Sequence, residues 1–280
     1  MGKVIAIANQ KGGVGKTTTT VNVAACIAAM EHRVLLVDID PQSNATSALG
    51  FEKDQPHVST YDFLIGSSSA DSAVRDTALS YLKLIPSDIN LVGAEIELVE
   101  VDNRETRLRE ALSMVKNSFE YIFIDCPPSL GLLTVNALVA ANTVLVPVQT
   151  EYFALEGLGQ LLNTISMVKR SYNANLGLEG VLLTMFDSRL RLSNQVVDEV
   201  RRYFDERVFK TVIGRNVRLS EAQSFGKPII LYDAGSLGAR HYMELAREFL
   251  ERNKSRETSQ KQDQTPKESA RVNNRENTTA

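Results

Sequence analysis

Tryptophan, closely spaced cysteines and long hydrophobic runs are all missing from this chain of 280 residues. A membrane-spanning helix needs about 20 consecutive apolar residues, and the apolar runs here are far shorter, so we expect no membrane association. Residues 1–3 lead directly into the first apolar run, which leaves no room for the cleavage region of a signal peptide. These absences predict a cytoplasmic protein.

The two cysteines, Cys26 and Cys126, lie far apart in the sequence and in apolar surroundings. Neither belongs to a CxxC pattern or has a histidine at the spacing of a metal site, so we expect two buried free thiols. A strong net charge is also absent, because the formal charge of −3 argues against a protein that coats nucleic acid with its whole surface. One basic stretch remains, residues 189–218, where eight Arg and Lys against four Asp and Glu give a net charge of +4.

Apolar runs typical of strands alternate with helical patterns along most of the chain. The strand-like runs are residues 4–8, 34–37, 82–85, 121–124, 144–148 and 181–183. Apolar side chains at helical spacing are found at residues 104–116, 132–141, 155–169, 194–206 and 236–252. Near-continuous Val, Ile and Leu runs separated by helices predict an α/β fold, with a mostly parallel sheet covered by helices on both faces.

The composition changes after Arg252. Residues 253–280 contain almost no large apolar side chain, and such a segment cannot bury enough surface to offset the entropy lost on ordering. We therefore predict one domain over residues 1–252 and a polar, disordered tail over residues 253–280.

The most informative segment is Gln-Lys-Gly-Gly-Val-Gly-Lys-Thr-Thr at residues 10–18, which follows a strand-like run and opens a helix-like segment. Glycines in such a loop let successive backbone N–H groups curl around an anion at the positive end of the helix dipole. A lysine then supplies charge for the β- and γ-phosphates, and a threonine hydroxyl is a magnesium ligand. The segment predicts a three-layer sandwich like that of P-loop NTPases and the nucleotide-binding residues Lys11, Gly12, Gly13, Val14, Gly15, Lys16, Thr17 and Thr18.

This phosphate-binding loop (residues 10–18) departs from the ordinary pattern, which has glycine six residues before the main lysine. Gln10 occupies that position, and a second lysine, Lys11, follows it. The variant resembles the deviant Walker-A ATPases. That resemblance implies two subunits facing each other across two ATP molecules, with the extra lysine reaching into the partner's site.

Carboxylates end two of the predicted strands. Asp38 and Asp40 follow the second run and point to the same side by period-two alternation, and Asp125 ends the run at residues 121–124. Ligands of α/β proteins bind at this edge of the sheet. We expect Asp40 to orient the attacking water, Asp38 to support it or to contact a magnesium-bound water, and Asp125 to contact magnesium through water.

Together these motifs resemble the ParA/Soj family of chromosome- and plasmid-partitioning ATPases, most closely its short Soj type. The similar segments are residues 11–18, 37–46, 124–128, 180–185, 215–222 and 226–228. The resemblance implies a magnesium-dependent ATPase whose ATP-bound form is a homodimer that binds double-stranded DNA without sequence preference. It also implies a ParB-type centromere-binding partner that stimulates hydrolysis, and a location on the nucleoid.

The resemblance also assigns roles to single residues. It implies catalytic roles for Lys11, Lys16 and Asp40, with Lys11 acting in the partner's site, and magnesium ligation by Thr17. Gly12 would face the subunit boundary, where a side chain should obstruct dimerisation. Asn216 would lie near the adenine, and Arg189 and Arg218 would contact DNA.

Two departures from the family pattern are visible, Gly214 where the family often has proline, and Gln223 and Phe225 in place of proline and histidine. Losing a proline is expected to loosen the loop on the adenine side.

Three alternatives remain open. A MinD-like membrane-positioning ATPase shares the loop but needs an apolar, basic terminal helix, and residues 254–280 lack the Leu, Ile and Phe face for it. A metal-cluster carrier related to the nitrogenase iron protein needs cysteines on accessible loops. A nucleotide-gated scaffold that does not hydrolyse ATP would not need Asp40.

Overall fold

The computed structural model describes residues 2–52, 57–151 and 154–263, and these form one sheet of seven strands between two layers of helices. The order across the sheet is β3-β4-β2-β5-β1-β6-β7, and only the edge strand β3 runs antiparallel to its neighbour. The strands are β1 (Lys3–Ile7), β2 (Val34–Asp38), β3 (Arg75–Asp76), β4 (Leu82–Ile85), β5 (Tyr121–Asp125), β6 (Thr143–Gln149) and β7 (Gly177–Thr184). The predicted α/β class and mostly parallel sheet are confirmed.

Twelve α-helices connect and follow these strands in the described part of the chain. They are α1 (Lys16–Ala29), α2 (Asn44–Ala48), α3 (Thr60–Ile65), α4 (Ala70–Ala73), α5 (Leu91–Glu97), α6 (Arg107–Ser113), α7 (Leu132–Ala140), α8 (Ala154–Ser171), α9 (Arg191–Phe204), α10 (Val217–Ser224), α11 (Ile229–Tyr232) and α12 (Leu237–Asp263).

Alternation along the strands supplies both faces of the core. In β1, Val4 and Ala6 belong to a cluster with side chains of α3 and of α5 to α9, whereas Ile5 and Ile7 pack with α1, α2 and α10 to α12. Both faces are therefore apolar, which is why the strands are near-continuous Val, Ile and Leu runs rather than alternating ones.

The predicted elements are found, with shifts at their ends. The helix predicted at residues 104–116 is shorter (Arg107–Ser113), and the one predicted at residues 194–206 begins at Arg191. Strand β3 and helix α10 were not predicted. The two residues of β3 carry too little pattern to be recognised, and α10 is short with a mixed polar sequence.

The last helix corrects the predicted end of the fold at Arg252, because α12 continues to Asp263. Beyond Arg252, the buried side chain of Asn253 donates a hydrogen bond to Glu179 (3.1 Å), and Arg256 forms an ion pair with the same carboxylate (2.9 Å). Glu179 itself is fully buried on β7 and also binds Lys3 of β1. Polar side chains thus anchor this part of the helix, where the composition alone had indicated disorder. The rest of the predicted tail, residues 264–280, lies outside the described residues.

Both cysteines are free and buried, as expected, and burial raises the pKa of each thiol. Neither lies on an accessible loop, which disfavours a cluster carrier. Among the described residues, no helix combines the length and the apolar character that crossing a membrane requires.

Truncation tests the extended boundary. A chain that ends at Arg252 should lose about 2 kcal/mol or more of unfolding free energy relative to one ending at Asp263, because buried Glu179 loses two of its partners. Urea denaturation of both truncations and of the full chain measures the difference. The chain ending at Asp263 is the control and should match the full chain. Equal stability of the two truncations would restore Arg252 as the end of the fold.

Candidate functional site

The phosphate-binding loop joins the carboxyl end of β1 to the first turn of α1. Gly13 and Gly15 have positive φ angles of 74° and 85°, and Gly15 precedes the helix as its N-cap. No side chain caps α1, so the N–H groups of its first turn remain available to an anion. The loop therefore has the backbone conformation of an anion cradle, which its glycines make accessible.

Two buried polar side chains that lie outside the loop hold it in place. Asn9 donates to the carbonyl of Pro147 on β6 (2.7 Å) and accepts from the backbone N–H of Lys11 (3.0 Å). Thr184, at the end of β7, donates to the carbonyl of Val14 (2.9 Å). Neither residue was predicted from the sequence, because Asn9 reaches a partner on β6 and Thr184 lies at the end of β7, far from the loop along the chain.

Lys16 is the first residue of α1 and is buried beneath the loop. Its Nζ donates to the carbonyl of Lys11 (3.1 Å), and no carboxylate among the described residues forms an ion pair with it. Burial lowers the pKa of Lys16, while the nearby charge of Asp125 opposes that change. A buried cation held only by a backbone carbonyl is suited to a phosphate.

Two fully buried carboxylates, Asp38 and Asp125, lie side by side because β2 and β5 are parallel neighbours with these residues in register. Burial raises the pKa of both carboxyl groups, and the charge of Asp38 raises that of Asp125 further. Asp125 accepts from the hydroxyls of Thr17 and Thr20 (2.8 Å each). Thr20 was missed, although its position one turn after Thr17 places both on one face of α1.

Asp38 and Asp40 differ in their surroundings. One oxygen of Asp38 accepts from both the N–H (2.8 Å) and the hydroxyl (2.7 Å) of Thr46, which holds Asp38 in place below the loop. Asp40 is 5% exposed, and its Oδ1 accepts from the N–H of Gln42 (3.0 Å). The hydroxyl of Ser87 donates to the Asp40 carbonyl (2.6 Å), which fixes the backbone of the turn.

The side chains at this edge fit Mg²⁺ bound together with phosphates. Thr17 and Asp125 provide the hard oxygen ligands that Mg²⁺ prefers. The described residues contain no group of three or more His, Cys, Asp and Glu side chains that could hold a metal alone. Magnesium is usually held by one or two carboxylates plus phosphates, so this donor set suits a nucleotide-bound ion rather than a protein cage.

Lys11 lies at the rim of the loop, and its Nζ is 3.5 Å from a carboxylate oxygen of Glu151. Arg215 approaches the same carboxylate at 3.8 Å. Glu151 is about half exposed, and exposed pairs at such distances contribute little to stability. Lys11 is thus tethered only weakly to its own protomer.

Asn216 directly precedes α10, and Gln223 lies near the end of that helix. The Asn216 side chain caps that helix by accepting from the N–H of Arg218 (2.9 Å). Gln223, one of the departures from the family pattern, donates to the hydroxyl of Thr18 on α1 (3.0 Å). The replacement of proline by Gln223 therefore adds a contact between α10 and the loop helix, where a looser loop was expected.

The two arginines expected to contact DNA are exposed and lie next to carboxylates. Arg189 donates twice to Asp187 (2.9 and 2.6 Å), and these bonds hold the pKa of Asp187 well below its usual value. Arg218 pairs with Glu221 at 2.8 Å and approaches Asp233 at 3.7 Å. A phosphate would have to compete with these carboxylates.

Known proteins resemble this chain over most of its length. A family model described as an AAA domain matches residues 2–178. The sporulation initiation inhibitor protein Soj of Bacillus subtilis is 58% identical over 89% of this chain and 98% of its own length. The chromosome partitioning protein ParA of Myxococcus xanthus is 54% identical over 90% of this chain and 89% of its own length.

One similar solved structure contains a nucleotide. It is the crystal structure of cobyrinic acid a,c-diamide synthase from Mycobacterium smegmatis with a bound ATP analog and magnesium. It superimposes with a TM-score of 0.80 at 39% identity and covers 91% of this chain and 97% of that chain.

Two glycines of the loop should respond differently to an added methyl group. Gly15→Ala should cost about 1 kcal/mol of unfolding free energy, because alanine is strained at positive φ. Gly12→Ala should cost little, since φ is not positive there and the nearest atom to a new Cβ is 4.0 Å away, on Pro128. Urea denaturation of the nucleotide-free variants measures both, and equal losses would contradict the assigned loop conformation.

Proposed function

The chain belongs to the Soj/ParA family of chromosome-partitioning ATPases, and on that premise we propose that it is an ATP-dependent DNA-segregation ATPase. The identities over about nine-tenths of the chain confirm the resemblance inferred from its motifs. The observation that carries the proposal is the arrangement of Lys16, Thr17 and Asp125 at one end of a parallel sheet, beneath a glycine-rich loop.

In this proposal the loop residues 11–18 bind the phosphates of ATP. The backbone N–H groups of the loop and of the first turn of α1 surround the β-phosphate, and Lys16 leaves the Lys11 carbonyl to contact the β- and γ-phosphates. Thr17 would provide its hydroxyl as a ligand of Mg²⁺, and Asp125 and Asp38 would contact the ion through water. Bound magnesium supplies charge neutralisation for the phosphates. Asn216, at the start of α10, is proposed to lie near the adenine.

Asp40 is proposed to position the water that attacks the γ-phosphorus. The water oxygen forms a bond to phosphorus as the bond to the β,γ-bridging oxygen breaks, which yields ADP and phosphate. The Asp40 side chain is held by the N–H of Gln42, and its backbone is held by Ser87. A fixed carboxylate at this edge can orient the water and accept its proton.

The active form is proposed to be a homodimer of two ATP-bound protomers. Gly12 supports this, because nothing in its own protomer crowds the position. Close approach by a second protomer is a reason for glycine there. Lys11 supports it too, since its weak tether to Glu151 leaves it available to the partner's nucleotide.

The dimer is proposed to bind double-stranded DNA without sequence preference through Arg189 and Arg218, and so to associate with the nucleoid. Dimerisation presents both arginines twice on one particle, which converts weak contacts into avidity and places DNA binding under nucleotide control. A ParB-type partner would then stimulate hydrolysis and release.

The membrane-positioning alternative has less support. The two relatives described above, at 58% and 54% identity, are named as sporulation and chromosome-partitioning proteins. The segment that would have to bind lipid, residues 254–280, lies largely outside the described residues.

An Asp40→Ala variant tests the nucleotide cycle. It should bind ATP and dimerise, yet hydrolyse ATP at least about a hundredfold more slowly, because the carboxylate that orients the water is lost while the residues that contact the phosphates remain. Phosphate release with DNA and a ParB-type protein gives the rate, and sedimentation velocity with ATP, ADP or no nucleotide gives the dimer fraction.

Two controls separate the steps of that experiment. Lys16→Ala should fail to bind ATP, whereas Gly12→Val should bind ATP and remain monomeric. If Asp40→Ala hydrolyses ATP like the parent, Asp40 does not position the water. If Asp40→Ala with ATP and Mg²⁺ remains monomeric, the proposed dimer is wrong.

Charge reversal tests the DNA contacts. Arg189→Glu and Arg218→Glu should weaken DNA binding by the ATP-bound dimer and leave ATP affinity unchanged. Each should reduce the slope of log affinity against log salt by about one per lost phosphate contact. Fluorescence anisotropy over a salt series measures this. Arg170→Glu, an equal charge change at an exposed position of α8, is the control, and an equal effect there would assign the binding to overall charge.

A further inference from the structure

The end of the sheet opposite the phosphate-binding loop borders a cavity of about 710 Å³. Strands β1, β6 and β7 begin there, with Lys3, Thr143 and Gly177 as their first residues. The loop follows the other end of β1, so the length of that strand separates the cavity from the ATP site proposed above. The volume lies within the range of small-molecule sites.

Five cationic side chains line this cavity, and among the described side chains no Asp or Glu lines it. They come from separate parts of the chain that only the fold brings together: Lys3, Lys116, Lys169, Arg207 and Arg256. In a concave site, charges of one sign reinforce one another and attract counter-ions more strongly than on a flat surface.

One carboxylate, Glu179, lies buried behind the wall and orients part of it. It forms ion pairs with Lys3 and Arg256 and accepts from the Thr143 hydroxyl (2.6 Å) and the Asn253 amide (3.1 Å). Burial alone would raise the pKa of Glu179, but the Lys3 charge and the donated hydrogen bonds outweigh it and hold that pKa below its ordinary value. Glu179 thus neutralises at most one of the five cations.

The remaining three cations have no such partner. Within the described part of the chain, no hydrogen bond or ion pair engages the side chains of Lys116, Lys169 and Arg207. Cations on a surface are usually solvated and spread apart, whereas these three converge on one cavity with the two that Glu179 orients. Several positive charges around one open, concave space match the closely spaced negative charges of linked phosphates.

We propose that this cavity is a second phosphoanion site, which binds a small molecule carrying several linked phosphates. Guanidinium groups of Arg207 and Arg256 suit bidentate contact with phosphate oxygens, and the lysines add point charges. The dimensions favour such a compact ligand over the extended backbone of a duplex, which needs a long open surface.

Inorganic tripolyphosphate is the probe, added to the full-length protein whose ATP site is already filled with fluorescent mant-ADP and excess Mg²⁺. Isothermal titration should show one site per chain while the mant fluorescence stays constant. Displacement of mant-ADP would mean that the probe binds the phosphate-binding loop, and the proposal would be wrong.

A Lys116→Ala/Lys169→Ala double variant should weaken tripolyphosphate binding by about tenfold or more, because two charged contacts are lost. The control is Arg33→Ala/Arg170→Ala, an equal charge change at exposed positions that do not line the cavity. It should change the affinity by no more than about twofold. Equal weakening in both variants would assign binding to overall charge and overturn the proposal.

A parallel measurement with duplex DNA and ATP separates the two sources of phosphate. Unchanged DNA affinity of the double variant supports a small-molecule site. If DNA binding falls and tripolyphosphate does not bind to the parent, the cavity contacts the nucleic-acid backbone and the compact ligand is excluded. Because ADP occupies the loop throughout the titration, failure of the proposed ATP cycle would not produce any of these results.

Discussion

The register between β2 and β5 is the constraint on which the nucleotide site depends. It places Asp38 and Asp125 side by side in the interior, with Lys16 as the buried cation beside them. Burial deprives both carboxylates of solvation and raises their pKa values, and the charge of Asp38 raises the pKa of Asp125 further. Threonine hydroxyls offset only part of this cost. The nucleotide-free protein therefore holds a site whose charges are best balanced when a divalent cation and phosphates enter together.

Local patterns predicted this part of the molecule well. The glycine spacing around Lys16, and the carboxylates that end two apolar runs, place the loop and the acids at one edge before any coordinates are known. What the sequence could not provide are the contacts made across the fold. Asn9 and Thr184 fix the loop from other strands, and neither sits in a recognisable motif.

The last helix shows why composition alone can mislead. The sequence after Arg252 is polar and has few large apolar side chains to bury, which by itself indicates disorder. In the folded protein, Asn253 and Arg256 meet a buried carboxylate 74 and 77 positions earlier in the chain. The buried charge of Glu179 makes contacts with polar side chains favourable. Its burial follows from the position of β7 in the sheet and cannot be predicted from the local sequence.

The carboxylate of Glu151 lies between two cations, Lys11 and Arg215. If Lys11 departs, Arg215 remains to compensate the acid, so no bare negative charge is left behind. In the proposed dimer, Lys11 would therefore reach the partner's site and return at little electrostatic cost to its own protomer. In that proposal, assembly would depend on the bound nucleotide rather than on the strength of the contact between Lys11 and Glu151.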